Sequence, residues 1–147
     1  MSAKTTQVKT RVAQAADRGL VERLLASFRA EYGHAPSGPL PLPKPGEEQL
    51  YILLAELEGK PAGMIAAQRC QELVQGTTFL LLSDLYVLPE ARRHRVASAL
   101  MAEAKGLAER SGCRTLRLMV PDFNLAALTT VARAGFTKAN ELLLTLG

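Results

Sequence analysis

Residues 49–89, QLYILLAELEGKPAGMIAAQRCQELVQGTTFLLLSDLYVLP, hold three apolar runs with nothing longer than a turn between them. Glu58-Gly59-Lys60-Pro61 divides the first two, and the third, TTFLLLSDLYVL, is bounded by Gly76 and Pro89. Strands joined this tightly must run antiparallel, because a parallel return needs a dozen residues or more. The chain after Pro89 has a different period. Val96, Ala97, Leu100, Met101, Ala104, Leu107 and Ala108 mark one face of a helix ending near Gly112. RTLRLMV then alternates as a strand, NLAALTTVARAGF reads as a second helix stopping at Gly135, and ELLLTL reads as a closing strand. Upstream, QVKTRVAQ alternates as an opening strand. Leu20, Val21, Leu24, Leu25 and Phe28 then recur at helical spacing, with Asp17 where an N-cap would sit and Gly33 where the helix would stop. The order β-α-loop-β-β-β-α-β-α-β predicts an α/β (α+β) chain, a mixed sheet with helices on its faces.

One segment fits neither period. HAPSGPLPLPKPGEE is dense in proline, which fixes φ and removes backbone donors, so it reads as a surface excursion in the manner of a lid. Only one strand and one helix precede it, too little for a separate domain, so residues 1–147 are taken as one domain. A content of 48% hydrophobic and 22% charged residues supports one packed core. No apolar run approaches the length of a membrane span, and MSAKTTQVKTRVAQ lacks the apolar core of a secretory signal, so the expectation is a cytoplasmic protein without membrane contact. Cys70 and Cys113 have neither CxxC nor metal-ligand spacing and are expected to be buried thiols; no metal is expected.

The net charge of +4 suits an anionic ligand or nucleic acid, and charge alone does not choose. The place of the charges says more. In PEARRHRVASAL, Arg92, Arg93, His94 and Arg95 crowd the point where a strand hands over to a helix. The first turn of a helix has unpaired N–H groups and a partial positive charge, so cations there oppose the helix dipole. They make sense if a phosphate or pyrophosphate supplies the missing negative charge. A solvated basic patch without ligand is the plain alternative. No GxxxxGK[ST] is present, and no glycine lies between Pro89 and Lys105, so neither a nucleotide P-loop nor a dinucleotide fingerprint applies. Nucleic acid is not expected, since the cluster has no interleaved aromatics and the other basic residues are scattered.

These residues resemble the GNAT superfamily of N-acyltransferases. That family's central signature is a strand ending L-x-V-x-P, followed by Q/R-x-x-G-x-G/A opening a helix. LYVLPEARRHRVASAL supplies Leu85, Val87, Pro89, Arg92 and Ala97, with Arg95 in place of the middle glycine. A second signature, Asn-x-x-Ala-x-x-Leu-Tyr-x-x-x-Gly-Phe, is matched by Asn124, Ala127, Gly135 and Phe136, with Thr130 in the Leu place and Val131 in the Tyr place. The resemblance implies a mostly antiparallel sheet whose central strands, here 80–88 and 114–120, splay apart to admit acetyl-CoA. The pantetheine arm would bond the backbone at Leu85, Tyr86 and Val87. The pyrophosphate would lie on the backbone amides of Arg93, His94, Arg95, Val96 and Ala97, and Arg92, Ser98, Asn124 and Ala127 belong to the same cofactor-binding set. Arg95 can still adopt helical φ/ψ if the turn is regular, its side chain either pointing away or clamping the phosphates or the 3′-phosphate of CoA.

The chemistry implied is direct transfer of an acetyl group to a primary amine of a small molecule or a peptide N-terminus. No Cys–His or Ser–His pairing points to a covalent intermediate. A lysine-like amine is free base at only about one part in 2,500 at neutral pH, so a proton must leave. Asp84 lies near the place where many family members carry a carboxylate base; Tyr86 and Glu90 are further candidates. Val131 cannot protonate the leaving thiolate, and Thr129, Thr130 and Val131 read as helix packing. His34 reads as a solvated loop residue. The proline-rich segment would supply part of the acceptor pocket. A non-catalytic acyl-CoA-binding module is the rival reading. ELLLTL at a sheet edge would also permit a homodimer.

Overall fold

The computed structural model describes residues 7–33, 49–121, 124–139 and 141–147. Its elements are β1 (Val8–Val12), α1 (Arg18–Tyr32), β2 (Leu50–Leu57), β3 (Lys60–Glu72), β4 (Thr77–Val87), α2 (Val96–Arg110), β5 (Thr115–Leu118) and α3 (Leu125–Arg133). Single 3-10 turns, Ala15–Asp17 and Pro89–Ala91, precede α1 and α2. The five strands form one sheet in the order β1-β2-β3-β4-β5. Every neighbouring pair is antiparallel except β4 and β5, which α2 joins as a parallel pair. The predicted mixed, mostly antiparallel sheet with flanking helices is therefore the fold observed. The proline-rich segment, His34 included, lies outside the described residues.

The tight joint between β2 and β3 follows from its residues. Leu57 pairs with Lys60, leaving Glu58 (φ 51°) and Gly59 (φ 77°) as a two-residue turn. Both positive φ values match the right-handed twist of the flanking strands, and glycine at the second place makes the turn cheap. At the other end of α1, Gly33 closes the helix with φ 73° and donates its N–H to the Arg29 carbonyl.

The sheet has a helix layer on each face. Leu53, Ile65, Ala67, Leu80 and Leu82 face Val96, Leu100, Met101 and Leu107 of α2 and Val131 of α3. Ile52, Leu54, Met64 and Tyr86 face Val21 and Leu24 of α1. Leu53, Ile65, Leu80, Leu82 and Leu100 are fully buried, each contributing about 1.5–3 kcal/mol.

Along β4 the alternation breaks once. Leu80 and Leu82 lie on the α2 face, and so do Leu85 and Val87, while Tyr86 lies on the α1 face. Even-numbered residues point one way before Asp84 and the other way after it. The register with β3 shifts between Ser83 and Tyr86, and Asp84 has a left-handed backbone (φ 55°), which is a β-bulge.

Three expectations need correction. ELLLTL is not a strand among the described residues: Leu142, Leu143, Leu144 and Leu146 stand in solvent. Cys113 is buried as expected, but Cys70 is only half-buried; both are free thiols. Asp17 does occupy the residue before α1, yet its carboxylate turns back to Arg11 (2.7 Å) and to the Gln14 N–H (2.7 Å) and makes no cap bond to the helix.

Candidate functional site

β4 and β5 pair only from Phe79–Thr115 to Leu82–Leu118, with two further bonds, from the Arg114 N–H to the Thr78 carbonyl and from the Met119 N–H to the Leu82 carbonyl. Arg117 reinforces this half: its guanidinium lies 4.1 Å from the Phe79 ring centroid and donates to Glu72 at 2.7 Å. Beyond Leu82 the two strands part. Tyr86 and Val87 stay paired to Met64 and Gly63 of β3, so among the described residues the opposite edge of β4 has no strand along it. This is the splay that the family resemblance implies, and the Asp84 bulge lies at its apex.

Gly63 makes the end of β4 fit. A Cβ there would stand 2.6 Å from the Tyr86 carbonyl oxygen, 3.3 Å from Val87 Cα and 3.3 Å from Val96 Cγ1. Only glycine lets β3, β4 and the start of α2 approach so closely.

The chain leaves β4 through Pro89–Ala91 and enters α2 at Val96. Between them Arg93 (φ 67°) and Arg95 (φ 62°, ψ 25°) are both left-handed. The turn is not regular, so Arg95 does not take helical φ/ψ: the residue in the glycine place adopts the glycine conformation. Alternating backbone of this kind turns successive amides toward one side, an arrangement that holds anions. Among the described residues, no acceptor receives the N–H groups of residues 93–98; the first local bond of α2 is from Ala99 to the Arg95 carbonyl (3.1 Å), and Arg95 makes no side-chain cap. The side chains of Arg93, His94, Arg95 and Ser98 are exposed, Ala97 is half-buried, and Val96 is packed in the core and offers only its amide.

Arg92 behaves differently from its neighbours. Its Nε donates to the Val87 carbonyl at 3.0 Å, its Nη2 donates to Glu31 at 2.6 Å, and its guanidinium lies 5.9 Å from the Tyr86 ring centroid. It therefore ties the end of β4 to the last turn of α1. Hydrogen bonding from Arg92 holds the Glu31 carboxyl below its ordinary range. Tyr86 is buried under α1 with its ring 4.8 Å from Phe28. Burial first, and the nearby Glu31 carboxylate second, push its hydroxyl up to about 12, so it keeps its proton at neutral pH.

Asp84 is exposed on the bulge, its carboxylate 3.4 Å from the Ser83 hydroxyl. Leu85 and Val87 are half-buried against the α2 core. Asn124 caps α3: its Oδ1 accepts the Ala127 N–H at 3.2 Å. The Asn-x-x-Ala spacing is thus the spacing of an N-cap and the third helical residue. Val131 is buried in the α2-side core, whereas Thr129 is exposed and Thr130 half-buried, and their hydroxyls donate to carbonyls four residues back.

Sequence reasoning missed Glu31 and Gly63. Glu31 has no local signal, since its partner is 61 residues away. Gly63 did have one, an isolated glycine inside an apolar strand. Among the described residues no three His, Cys, Asp or Glu side chains are grouped to hold a metal, and no helix is long and apolar enough to cross a membrane.

Solved structures resemble this fold over almost its full length. A ribosomal-protein-alanine N-acetyltransferase from Brucella melitensis biovar Abortus superposes with a TM-score of 0.81 at 19% identity, covering 96% of this chain and 100% of the other. An aminoglycoside acetyltransferase from an uncultured soil metagenomic sample gives 0.74 at 16%, covering 95% and 94%. A predicted acetyltransferase with acetyl-CoA from Clostridium acetobutylicum gives 0.74 at 14%, covering 95% and 96%. At such identities the likeness speaks for the fold alone. No curated protein sequence matches the chain. A family profile described as the acetyltransferase (GNAT) family matches residues 17–136, which takes in α1, the splayed strands, the arginine turn and the Asn124–Phe136 motif. The chain belongs to the GNAT acetyltransferase family.

Proposed function

We propose that this protein transfers an acetyl group from acetyl-CoA to a primary amine by direct attack. The observation that carries the proposal is the run of unpaired amides at residues 93–98, set in left-handed backbone and ringed by exposed cations, directly after a strand edge with no partner. The pyrophosphate lies on those amides, with Arg93, His94 and Arg95 countering its charge. The pantetheine arm runs along the open edge at Leu85, Tyr86 and Val87. An acyl-CoA presented this way places its thioester at the apex of the splay, beside Asp84.

Asp84 takes the ammonium proton through water, the freed amine nitrogen attacks the thioester carbon, the C–S bond breaks, and the proton shed by the new amide nitrogen passes through solvent to the leaving thiolate. Amide and free thiol result. Tyr86, which keeps its proton, is not a base; its part is to fix the strand from beneath and to offer its main chain. Val131 is core and has no proton to give, so the usual acid of the second motif is missing. That slows the reaction by roughly 10²-fold or more without blocking it. The acceptor is a small amine or a peptide N-terminus; an aminoglycoside acetyltransferase and a ribosomal-protein-alanine N-acetyltransferase are among the structures that share the fold. The protein acts in the cytoplasm without nucleic acid.

Calorimetry with CoA and acetyl-CoA, followed by thiol release over a panel of amines and N-terminal peptides, tests the reading. Micromolar coenzyme binding and amine-dependent thiol release are expected. Binding without release under any amine would leave an acyl-CoA-binding module, the alternative that Val131 favours. No binding at millimolar coenzyme would end the proposal.

A further inference from the structure

Glu31 sits in the last turn of α1, where the helix dipole disfavours a carboxylate. Its contact with Arg92 explains the position. Arg92 is the last residue before the left-handed pair Arg93 and Arg95, and strained backbone persists only where its surroundings hold it. Three things hold this bend. Ala91 and Val96 are buried on either side of it, and the Arg92 side chain is anchored at two points, Val87 O and Glu31. The main-chain bond from Arg92 N–H to the Pro89 carbonyl is long, at 3.3 Å. A guanidinium is a planar fork, so fixing one arm on Glu31 aims the other at Val87.

We propose that Glu31 is a positioning residue for the coenzyme turn: by holding Arg92 on the Val87 carbonyl, it fixes both the end of β4 and the direction of the amides at residues 93–96. This rests on the reading that those amides receive the coenzyme. It assigns a role to a residue of α1, the helix on the far face of the sheet.

The test is Glu31→Gln, which keeps the shape and removes the charge. The pair is partly exposed, so the variant is expected to fold with a melting temperature within about 2–4 °C of wild type. The dissociation constant for CoA should rise about fivefold, the worth of one charge-assisted hydrogen bond near the surface. Turnover at saturating acetyl-CoA and the acceptor KM should stay within twofold. Amide exchange at residues 93–96 should quicken while the β2–β3 amides are unchanged. In an Arg92→Ala background, Glu31→Gln should add less than twofold, because only the Tyr86 hydroxyl is then left as a partner of Glu31. Wild-type affinity in Glu31→Gln, or effects of the two substitutions that multiply, would overturn the proposal. Were wild type itself to bind no CoA, the function proposed above would fall, and this inference about coenzyme positioning would fall with it. The exchange experiment stands apart from coenzyme: unchanged exchange at 93–96 in Glu31→Gln refutes the hold on the turn.

Discussion

Arg95 occupies a conformation that a side chain makes costly, and removing that side chain isolates the cost. At φ 62° and ψ 25° an L-residue stands about 1–2 kcal/mol above its right-handed state. Glycine has no such penalty but loses about 0.5–1 kcal/mol more conformational entropy on folding. Arg95→Gly should therefore stabilise the protein by about 0.7 kcal/mol through the backbone alone, or about 2–3 °C in melting temperature for a chain of this size. Removing a cation from the positive end of α2 adds a few tenths of a kcal/mol. Arg95→Ala shares the charge effect but keeps the Cβ, so the difference between the Gly and Ala variants reads the backbone strain by itself. Arg92→Gly is the opposing control: φ there is −69°, nothing is relieved, the Glu31 contact is lost, and stability should fall. Coenzyme affinity should move against stability, with Arg95→Gly binding CoA about two- to fivefold more weakly at low salt and the gap closing above 0.5 M salt as screening grows, about the worth of one exposed charge pair. Thermal melts and calorimetry on the four proteins decide it. If Arg95→Ala melts as high as Arg95→Gly, the strain argument is wrong.

Gly63→Ala drives a Cβ to 2.6 Å from the Tyr86 carbonyl, a backbone atom that cannot yield; about 1–3 kcal/mol of stability should go, with CoA affinity falling as β4 shifts, measured by denaturant titration and calorimetry. Asn124→Ala removes the cap on the Ala127 N–H and should cost about 1 kcal/mol, read from the same titration, whereas Asn124→Asp should retain most of it. Asp17 is held at about 2, chiefly by hydrogen bonding from Arg11 and then from the Gln14 N–H. A carboxyl whose folded value is depressed stabilises above its unfolded value near 4 and loses that contribution as the pH falls through 2. The full linkage is about 2 kcal/mol, reduced to about 1 because the Arg11 partner is exposed to screening solvent. Melting temperature measured from pH 5 down to pH 2 should therefore fall less steeply in Asp17→Asn than in wild type.

The helices and hairpins were legible because each rests on local chemistry. Gly33, Gly59, Gly112 and Gly135 all have the positive φ their positions in the sequence foretold, and the α2 face is the one its spacing marked. The splay was legible only through the resemblance, because nothing in the composition of β5 says where its pairing with β4 stops. ELLLTL shows why periodicity alone does not make a strand. Three leucines in succession require an apolar layer on both faces, yet β5, the adjacent edge, is itself only half-buried at Leu116, Arg117 and Leu118. The arginine cluster was read as one unit and is two. Arg93, His94 and Arg95 are open to solvent, while Arg92 is engaged by a residue from the other face of the sheet, a contact that long-range packing makes and that local spacing cannot show.

The Asp84 bulge bears on how the proposed base must be tested, because it gives that residue a second reason to be aspartate. A strand that keeps Leu80, Leu82, Leu85 and Val87 on one face and Tyr86 on the other has to pass one extra residue, and that residue sits at φ 55°. Asp and Asn enter this region more readily than other side chains, so backbone geometry alone would favour Asp here. Alanine is consequently the wrong probe: it would strain the bulge and move the splay along with the carboxylate. Asn keeps both shape and backbone preference, and glycine relaxes the bulge altogether, so both variants remove the carboxylate while leaving the strand in place. If the carboxylate takes the ammonium proton, Asp84→Asn and Asp84→Gly should both lose about 10²-fold or more in turnover, with CoA affinity within a few-fold of wild type. The deficit should shrink as pH rises and the acceptor deprotonates without help. Turnover retained by both variants would reduce Asp84 to the residue that bends the strand, and the proton would have to leave by water alone.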